Sequence, residues 1–213
     1  MIKEIIDSLV ENHKSSGKFA ISKVGSCLRK TYLSMKGEYK EEFDAKTLRA
    51  FDIGNIFHMQ AVKELLEKGD NFDKRVVAVE VNIPEQKNIS GRIDILLSDA
   101  KTRELYVVDI KSSMDWTLSK VKKEELDVSY IRNYINQMQL YLHFFKLKKG
   151  YILFFGKHRG ETEEIEVIYD KELCLKLIEN IEDFFKNYVE RKIEPQKCDG
   201  GQFGCKVCGI EKK

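Results

Sequence analysis

Several features of membrane, secreted or disordered proteins are missing from this chain. Only 2 of its 213 residues are proline, so a disordered or linker-rich protein is not expected. No apolar run approaches the ~20 residues that a membrane-spanning helix needs. The N-terminus is charged and amphipathic, and it lacks the uninterrupted apolar stretch of a signal peptide. We therefore expect an intracellular, cytoplasmic protein with no membrane contact.

A strong net charge is also lacking. Lysine and arginine total 37 against 35 acidic residues, so the formal net charge of +2 does not by itself indicate a nucleic-acid ligand. The 5 cysteines, in a reducing compartment, favour metal ligands, buried thiols or reactive groups over disulfides. The length and the hydrophobic content of 42% suit one domain, which we expect to span residues 1–213.

Hydrophobic periodicity predicts helices first and a sheet afterwards. Helices are expected at residues 2–13, 22–36 and 44–68, the second capped by Ser22. Strands are expected at 77–83, 89–97, 105–110, 151–155 and 162–169, with a helical region before the fourth strand and a final helix at 171–191. The short links between the first three strands predict a meander, and the long link to the fourth allows a crossover. The predicted fold is α/β, a mixed central sheet flanked by helices, with its core at about 44–192.

Two aspartates and a lysine fall near the ends of neighbouring predicted strands. Asp94 lies in the second strand and Asp109 near the end of the third, and Lys111 shares a face with Asp109. Two carboxylates can hold a hard cation such as Mg²⁺ or Mn²⁺ through oxygen. The cation polarises a phosphate and lowers the pKa of bound water, while the lysine orients that water or stabilises developing charge. This grouping suits hydrolysis of a phosphodiester.

The same residues have a plainer interpretation, as exposed charges at strand ends, because an isolated Asp-x-Lys is common. Two neighbouring features favour catalysis. The run before Asp109 is apolar, and a strand core that ends in Asp-Ile-Lys is less usual. Gly91, upstream of Asp94, is typical of a strand position where another group approaches the backbone closely.

Two segments resemble the active-site signature of the PD-(D/E)XK nuclease superfamily in its aspartate form. They are Gly91-Arg-Ile-Asp94 and Val107-Val-Asp-Ile-Lys111. The core of that superfamily is a mixed sheet in α-β-β-β-α-β order, which the predicted elements match. Two further marks resemble its RecB-like branch: His58 on the helix before the sheet, and Gln137-Met-Gln-Leu-Tyr141 on the helix after the active site.

This resemblance implies roles for the matched residues. The metal, Mg²⁺ or Mn²⁺, would be bound by His58, Asp94, Asp109 and the main-chain carbonyl of Ile110. Asp94, Asp109 and Lys111 would be catalytic, with Lys111 assisting the attacking water, and Gln137 and Tyr141 would contact DNA. Arg29 is expected to contact DNA as part of the basic cluster Arg29-Lys30. Taken singly, His58 fits equally well as a half-buried polar residue, and Tyr141 as part of the core.

Three cysteines lie in a glycine-rich tail. Cys205 and Cys208 have the Cys-x-x-Cys spacing that lets both sulfurs reach one metal centre, and Cys198 precedes them. Cys27 is the better fourth ligand, because Cys174 lies in an apolar helical stretch and is expected to pack as a small hydrophobe. A tail so poor in apolar residues is expected to depend on a metal for its order.

The cysteine pattern is similar to the iron–sulfur subset of RecB-like nucleases, which includes the CRISPR-associated exonuclease, AddAB-type helicase nucleases and exonuclease V. There, one cysteine precedes the nuclease core and three follow it. The resemblance implies that Cys27, Cys198, Cys205 and Cys208 hold a [4Fe–4S] cluster, on elements at about 22–37 and 195–209. In that family the close pair of cysteines usually precedes the distant one, and here the order is reversed. A structural Zn²⁺ on the same thiolates is the alternative.

The resemblance implies a metal-dependent DNA nuclease, an exonuclease on single-stranded DNA or DNA ends. No Gly-x-x-x-x-Gly-Lys-Ser/Thr loop occurs, so an ATP-driven motor is not expected in this chain. That favours the CRISPR-associated type, with CRISPR adaptation proteins as expected partners, or a phage or archaeal-virus relative, over a helicase subunit. The alternatives are a general repair, recombination or phage replication nuclease, and a non-catalytic iron–sulfur DNA-binding module.

Basic clusters together with Trp116, Tyr130 and Tyr134 could line a groove for single-stranded DNA, although most such clusters are solvated faces. The oligomeric state is left open.

Overall fold

The computed structural model describes residue 3 and residues 10–13, 17–200 and 204–210. The strands are β1 (Val10–His13), β2 (Phe19–Ala20), β3 (Glu41–Asp44), β4 (Lys74–Asn82), β5 (Ile89–Ser90), β6 (Arg92–Asp99), β7 (Leu105–Ser113), β8 (Lys149–Gly156) and β9 (Thr162–Ile168). The α-helices are α1 (Leu28–Met35), α2 (Ala45–Lys68), α3 (Asp115–Lys122), α4 (Ser129–Phe145) and α5 (Lys171–Phe184). A π-helical turn, Phe185–Val189, follows α5.

Five of the strands form the central sheet, in the order β4-β6-β7-β8-β9. The first three are antiparallel neighbours, as expected of strands joined by short links. β7 and β8 are parallel, and α3 and α4 provide the crossover between them. β9 returns antiparallel to β8. The predicted α/β fold with a mixed sheet flanked by helices is confirmed.

Helices cover both faces of this sheet. On one face, Ala61 of α2 packs with Ile95, Val108 and Ile110. On the other, α3, α4 and α5 bury the larger core, which includes fully buried Leu140 of α4. Alternate residues of β7 therefore face different helices, since successive side chains of a strand point to opposite sides.

The predicted helix at 44–68 is confirmed, and the reason is local. The Asp44 side chain accepts a hydrogen bond from the N–H of Thr47 at 2.8 Å, which satisfies a backbone donor that the first turn leaves open. The α5 helix begins in the same way, because Asp170 accepts from Leu173 at 3.0 Å. Both caps are visible in the sequence.

Three differences from the predicted elements have a clear physical reason. Residues 10–13, predicted as helix, form β1 and pair with β3, while residues 2 and 4–9 of that helix lie outside the described residues. A short isolated helix is marginal, and pairing with β3 gives the same residues backbone partners. The helix predicted to begin at Ser22 begins at Leu28 instead, because Gly25 has φ +74°. The predicted strand 89–97 is divided at Gly91 into β5, which pairs with β2, and β6.

Candidate functional site

The strands β6 and β7 separate at the residues that the sequence singles out. Their pairing runs from Ser98 opposite Leu105 to Ile95 opposite Val108. Beyond that point the N–H of Ile110 donates to Asp94 Oδ2 at 2.6 Å. The carboxylate thus takes the place of a backbone acceptor, and the opening between the strands gives other groups access to the sheet end.

Asp109 and Lys111 lie side by side on the face of β7 that meets α4. The Nζ atom of Lys111 is 2.7 Å from Asp109 Oδ2, and the Asp109 residue is only 2% exposed. The ammonium group of Lys111 therefore compensates part of the charge of this buried carboxylate. A second carboxylate, that of Asp94, lies close enough to repel it, and two neighbouring carboxylates fit the ligands of a divalent metal.

His58 reaches the same place from α2, on the other side of the sheet. Its Nε2 atom lies 3.1 Å from the carbonyl oxygen of Ile110, and its Nδ1 atom lies 3.5 Å from Asp94 Oδ1. Gly54, one turn earlier, faces β7, and a Cβ there would be in ordinary van der Waals contact with Ser112 Oγ at 3.4 Å. The four metal ligands proposed from the sequence resemblance are therefore brought to one end of the sheet.

Gln137 and Tyr141 connect Lys111 to β6 through hydrogen bonds. Lys111 Nζ donates to Gln137 Oε1 at 3.3 Å, and Gln137 Nε2 donates to the Tyr141 hydroxyl at 3.0 Å. That hydroxyl donates to the carbonyl oxygen of Arg92 at 2.9 Å. Gln137 and Tyr141 are buried, so these polar atoms are directed into the protein. Their contact with DNA stays a prediction, while the contact of Gln137 with the lysine is a feature that the sequence pattern did not indicate.

Burial and neighbouring charges shift the pKa values of Asp94 and Lys111. The pKa of Asp94 is raised to about 6, chiefly because the carboxyl is buried and also because Asp109 lies nearby. His58, the N–H of Ile110 and Lys111 act in the opposite direction. For Lys111, burial would lower the pKa, but the carboxylates of Asp109 and Asp94 outweigh it and the pKa is raised. The lysine is therefore an ammonium group suited to stabilising negative charge rather than accepting a proton.

A cleft of about 670 Å³ opens over these residues. It also includes Lys18, Asn82 and Gln86, which lie outside the sequence motifs, and Arg92, which lies within the Gly91–Asp94 motif. Gly91 explains part of its shape, since a Cβ there would lie 2.8 Å from Ile21 Cδ1. The close approach expected at this glycine is thus observed. Gly91 was the sequence feature that indicated this wall of the cleft.

A second group of ligand residues lies away from this cleft, where α1 meets the C-terminal tail. The sulfurs of Cys27, Cys198, Cys205 and Cys208 all lie within 4.8 Å of one another. Cys208 Sγ is 3.6 Å from the sulfurs of both Cys27 and Cys198. In the described part of the chain this is the one set of three or more cysteine, histidine or acidic side chains that meets this distance. The donor atoms of His58, Asp94 and Asp109 are grouped more loosely.

The local backbone explains how the cysteines converge. Cys27 is the N-cap of α1 and accepts from the N–H of Lys30 at 3.5 Å. A 3₁₀ turn, Lys206–Cys208, joins the close pair and ends at Gly209, whose φ is +70°. Burial raises the pKa of Cys27 to about 12, so a metal is needed to keep this thiol deprotonated at neutral pH. Four thiols in such an arrangement could hold a metal ion.

The spacing of the sulfurs bears on the kind of metal centre. One tetrahedral ion with bonds of about 2.3 Å sets its sulfurs roughly 3.8 Å apart. Two of the sulfur separations are 3.6 Å, and all four sulfurs lie within 4.8 Å of one another. A [4Fe–4S] cluster places four iron atoms between its thiolates and needs a wider spacing. As they stand, the four sulfurs fit a single ion, and a cluster would have to move them apart.

Two further residues from the sequence analysis lie near these elements. Arg29, predicted to contact DNA, pairs with Glu194 through an Nη2–Oε1 distance of 2.5 Å and so links α1 to the tail. Its contact with DNA stays a prediction. Cys174 is fully buried and its thiol donates to the carbonyl of Gln139 at 3.1 Å, which agrees with packing as a small hydrophobe. It lies apart from the four-cysteine group.

Comparisons with known proteins identify the fold. No family model matches the sequence, and no curated protein matches it. Among solved structures, the alkaline exonuclease LHK-Exo of Laribacter hongkongensis aligns over 84% of this chain and 90% of its own, with a TM-score of 0.61 and 16% identity. The chain shares the fold of this exonuclease. The complex of the same enzyme with dAMP aligns equally well, at a TM-score of 0.61 and 17% identity. SSO0001 aligns over 88% of this chain and 87% of its own, at a TM-score of 0.50 and 20% identity.

No helix among the described residues combines the length and the apolar character required to cross a lipid bilayer.

Proposed function

We propose that this chain is a metal-dependent DNA nuclease of the PD-(D/E)XK type. The observation that carries the proposal is the grouping of His58, Asp94, Asp109 and Lys111 at the point where β6 and β7 separate. The shared fold with an exonuclease whose complex contains dAMP adds support. The narrower proposal, a single RecB-like domain over residues 1–213, rests on the sequence resemblance.

In the proposed reaction, a bound metal ion and the side chains of the protein have different tasks. His58, Asp94, Asp109 and the carbonyl of Ile110 would hold Mg²⁺ or Mn²⁺. When bound, such an ion polarises the scissile phosphate and lowers the pKa of a coordinated water. The ammonium group of Lys111 stabilises the negative charge that develops on the phosphate oxygens, since it is kept protonated beside Asp109.

Gln137 and Tyr141 act as positioning residues in this proposal. Gln137 accepts from Lys111 and so limits the directions in which the lysine can point. Tyr141 fixes Gln137 and at the same time contacts the backbone of Arg92, two residues before Asp94. The two halves of the site, on β6 and β7, are thereby held in one arrangement.

Cleavage of end-labelled DNA tests the function. Wild-type protein is incubated with single-stranded and duplex DNA, with and without Mn²⁺, beside Asp109→Asn and Lys111→Ala. We expect metal-dependent cleavage by the wild type and about a 1,000-fold loss in each variant, with DNA binding retained. A matched control is Asp99→Asn, which removes a carboxylate paired with Lys74 at 2.6 Å outside the cleft and should leave cleavage unchanged. Undiminished cleavage in both site variants would contradict the assignment, and binding without cleavage by the wild type would indicate a non-catalytic DNA-binding module.

The four cysteines are proposed to bind a metal centre that joins α1 to the C-terminal tail. The sequence resemblance implies a [4Fe–4S] cluster, whereas the 3.6 Å sulfur separations favour one Zn²⁺ ion. Iron, sulfide and zinc analysis of anaerobically purified protein distinguishes them. A brown protein with about four irons per chain supports the cluster, and a colourless protein with one zinc supports the single ion.

A role in CRISPR adaptation is the narrowest part of the proposal. It rests on the resemblance to the CRISPR-associated exonuclease rather than on any contact in the fold. Co-purification with CRISPR adaptation proteins from the same cell tests it. Genome neighbours concerned with repair or phage replication would favour the alternative nuclease roles.

A further inference from the structure

Among the lysine and arginine residues that line the cleft, Arg92 is the exposed one. Lys111 is held beside Asp109, and Lys18 donates from its Nζ atom to the carbonyl oxygen of Gln86 at 2.7 Å. The side chain of Arg92, in contrast, is 57% exposed. It can therefore meet an anionic ligand that enters the cleft from solvent.

The backbone of Arg92 is held in place although its side chain is exposed. The residue pairs with Asn82 of β4, and its carbonyl oxygen accepts the hydrogen bond from Tyr141 at 2.9 Å. Arg92 lies two residues before Asp94, so both side chains are on one face of β6, about 7 Å apart along the strand. A DNA strand whose scissile phosphate lies at Asp94 and Asp109 therefore brings its next phosphate close to the guanidinium group.

The partner of Arg92 in this structure is Glu80. The Nη2 atom lies 3.2 Å from Glu80 Oε1, and the Nη1 atom donates to Oε2 at 3.5 Å. Both side chains are more than half exposed, and an ion pair in contact with water contributes little to stability. A phosphate can replace the carboxylate at small cost, because it also offers two oxygens to the planar fork of an arginine.

The backbone at Glu80 is unusual for a strand. Its φ is +53°, in the left-handed region that residues other than glycine seldom adopt. Val79 and Val81 on either side pair normally with β6, so Glu80 lies opposite Asp94. Such a conformation persists where the surrounding structure imposes it, and positions of this kind cluster at functional sites. Here the unusual residue carries the carboxylate that pairs with the cleft arginine.

We infer that Arg92 binds the phosphate next to the scissile one and releases Glu80 when it does so. The inference rests on the proposed nuclease function and adds a substrate contact to it. Contacts to phosphates fix the register of a nucleic acid without reading its bases. Arg92 therefore positions the strand for cleavage whatever its sequence, and Glu80 competes with DNA for the same guanidinium group.

Binding of dye-labelled DNA, followed by anisotropy in Ca²⁺ to limit cleavage, tests this contact. Arg92→Ala should weaken binding by about 10-fold and reduce the slope of log affinity against log salt concentration by about one. The matched control is Arg75→Ala, because Arg75 also forms an exposed ion pair, with Asp70 at 2.7 Å, but lies outside the cleft. The control should bind like the wild type.

Equal affinities for Arg92→Ala and wild type, in protein with an unchanged circular dichroism spectrum, would overturn the inference. If both proteins then still cleave DNA with Mn²⁺, the proposed nuclease function stands without this contact. A wild-type protein that neither binds nor cleaves DNA would overturn the nuclease function, and the inference with it.

Glu80→Gln separates an exchange of partners from a simple change in charge. Glutamine has nearly the same size but no longer forms an ion pair with Arg92. We expect about 3-fold tighter DNA binding in the wild-type background, and no gain when Arg92 is already alanine. Equal gains in the two backgrounds would contradict the competition between Glu80 and DNA.

A chemical change in the DNA locates the contact. An uncharged methylphosphonate replaces the phosphate on either side of the cleavage point in turn. At one of the two positions it should lower kcat/KM of the wild type by about 10-fold and have little further effect on Arg92→Ala. The same loss in both proteins at both positions would show that Arg92 does not contact a neighbouring phosphate.

Discussion

The two candidate metal sites of this chain are built in opposite ways. Asp94 and Asp109 stand on strands of the central sheet, and their positions are set by backbone pairing and by a core on either face. Of the four cysteines, Cys27 caps α1 and Cys205 and Cys208 bound a 3₁₀ turn in a tail with few apolar residues. The carboxylate site is a scaffold that a metal could enter. We expect the cysteine site, in contrast, to need its metal for its own structure.

Removing a ligand should therefore have different consequences at the two sites. Cys208→Ser is expected to have the largest effect on folding, because it breaks the contacts of the sulfur nearest to Cys27 and Cys198. We predict loss of the bound metal and a fall in melting temperature of about 10 °C, equivalent to several kcal/mol. Calorimetry and metal analysis measure both.

The matched control for that variant is Cys174→Ala, which removes a buried thiol outside the metal group. It should retain the metal and lose about 1 kcal/mol through the lost packing and hydrogen bond. Equal destabilisation by the two substitutions, with metal retained in both, would remove the contrast between the sites.

Gln137→Ala tests the positioning of Lys111 and should have an intermediate effect. The side chain accepts from Lys111 and contacts Tyr141, but it is not proposed to touch the metal. We predict about a 30-fold fall in kcat with KM for DNA nearly unchanged, since one hydrogen bond to a charged group is lost. Gln137→Glu should restore part of the rate, because it keeps an acceptor for the ammonium group. A rise in KM alone would instead support the predicted direct contact with DNA.

Asp94→Asn should have the smallest effect of the three on its measured quantity, the stability of the metal-free protein. It should raise that stability, whereas the cysteine variant lowers stability. Because burial raises the pKa of Asp94 to about 6, the ionised carboxylate destabilises the metal-free fold above that pH. Asparagine removes this cost, so we predict a gain of about 2 kcal/mol at pH 8. The gain should vanish as the pH falls through 6 toward the usual aspartate value of 3.8, where both folded and unfolded wild type are protonated. Thermal unfolding of the metal-free proteins across this range measures it, and a pH-independent difference would contradict the account.

Much of the scaffold of the carboxylate site could be predicted from the sequence. The helix at 44–68 follows from the Asp44 cap, and the strand that carries Asp109 follows from a continuous apolar run. Both signals are local, because caps and strand patterns depend on neighbouring residues. The same is true of the Cys-x-x-Cys turn at Cys205.

The remaining features depend on groups distant in the chain. That the Asp94 carboxylate would replace a backbone partner of Ile110 could not be predicted, because it requires β6 and β7 to separate. The inward direction of Tyr141 depends on Arg92, 49 residues away. Residues 10–13 were predicted as helix because the partner strand at 41–44 could not be foreseen. In each case tertiary contacts decide between arrangements that the local sequence allows.

The measurement closest to the central claim is X-ray diffraction from crystals grown with Mn²⁺, recorded at the manganese absorption edge. The account predicts an anomalous peak in the cleft, within coordination distance of Asp94, Asp109, His58 and the carbonyl of Ile110. Manganese bound only at other places, in crystals of a protein that still cleaves DNA with this ion, would contradict it.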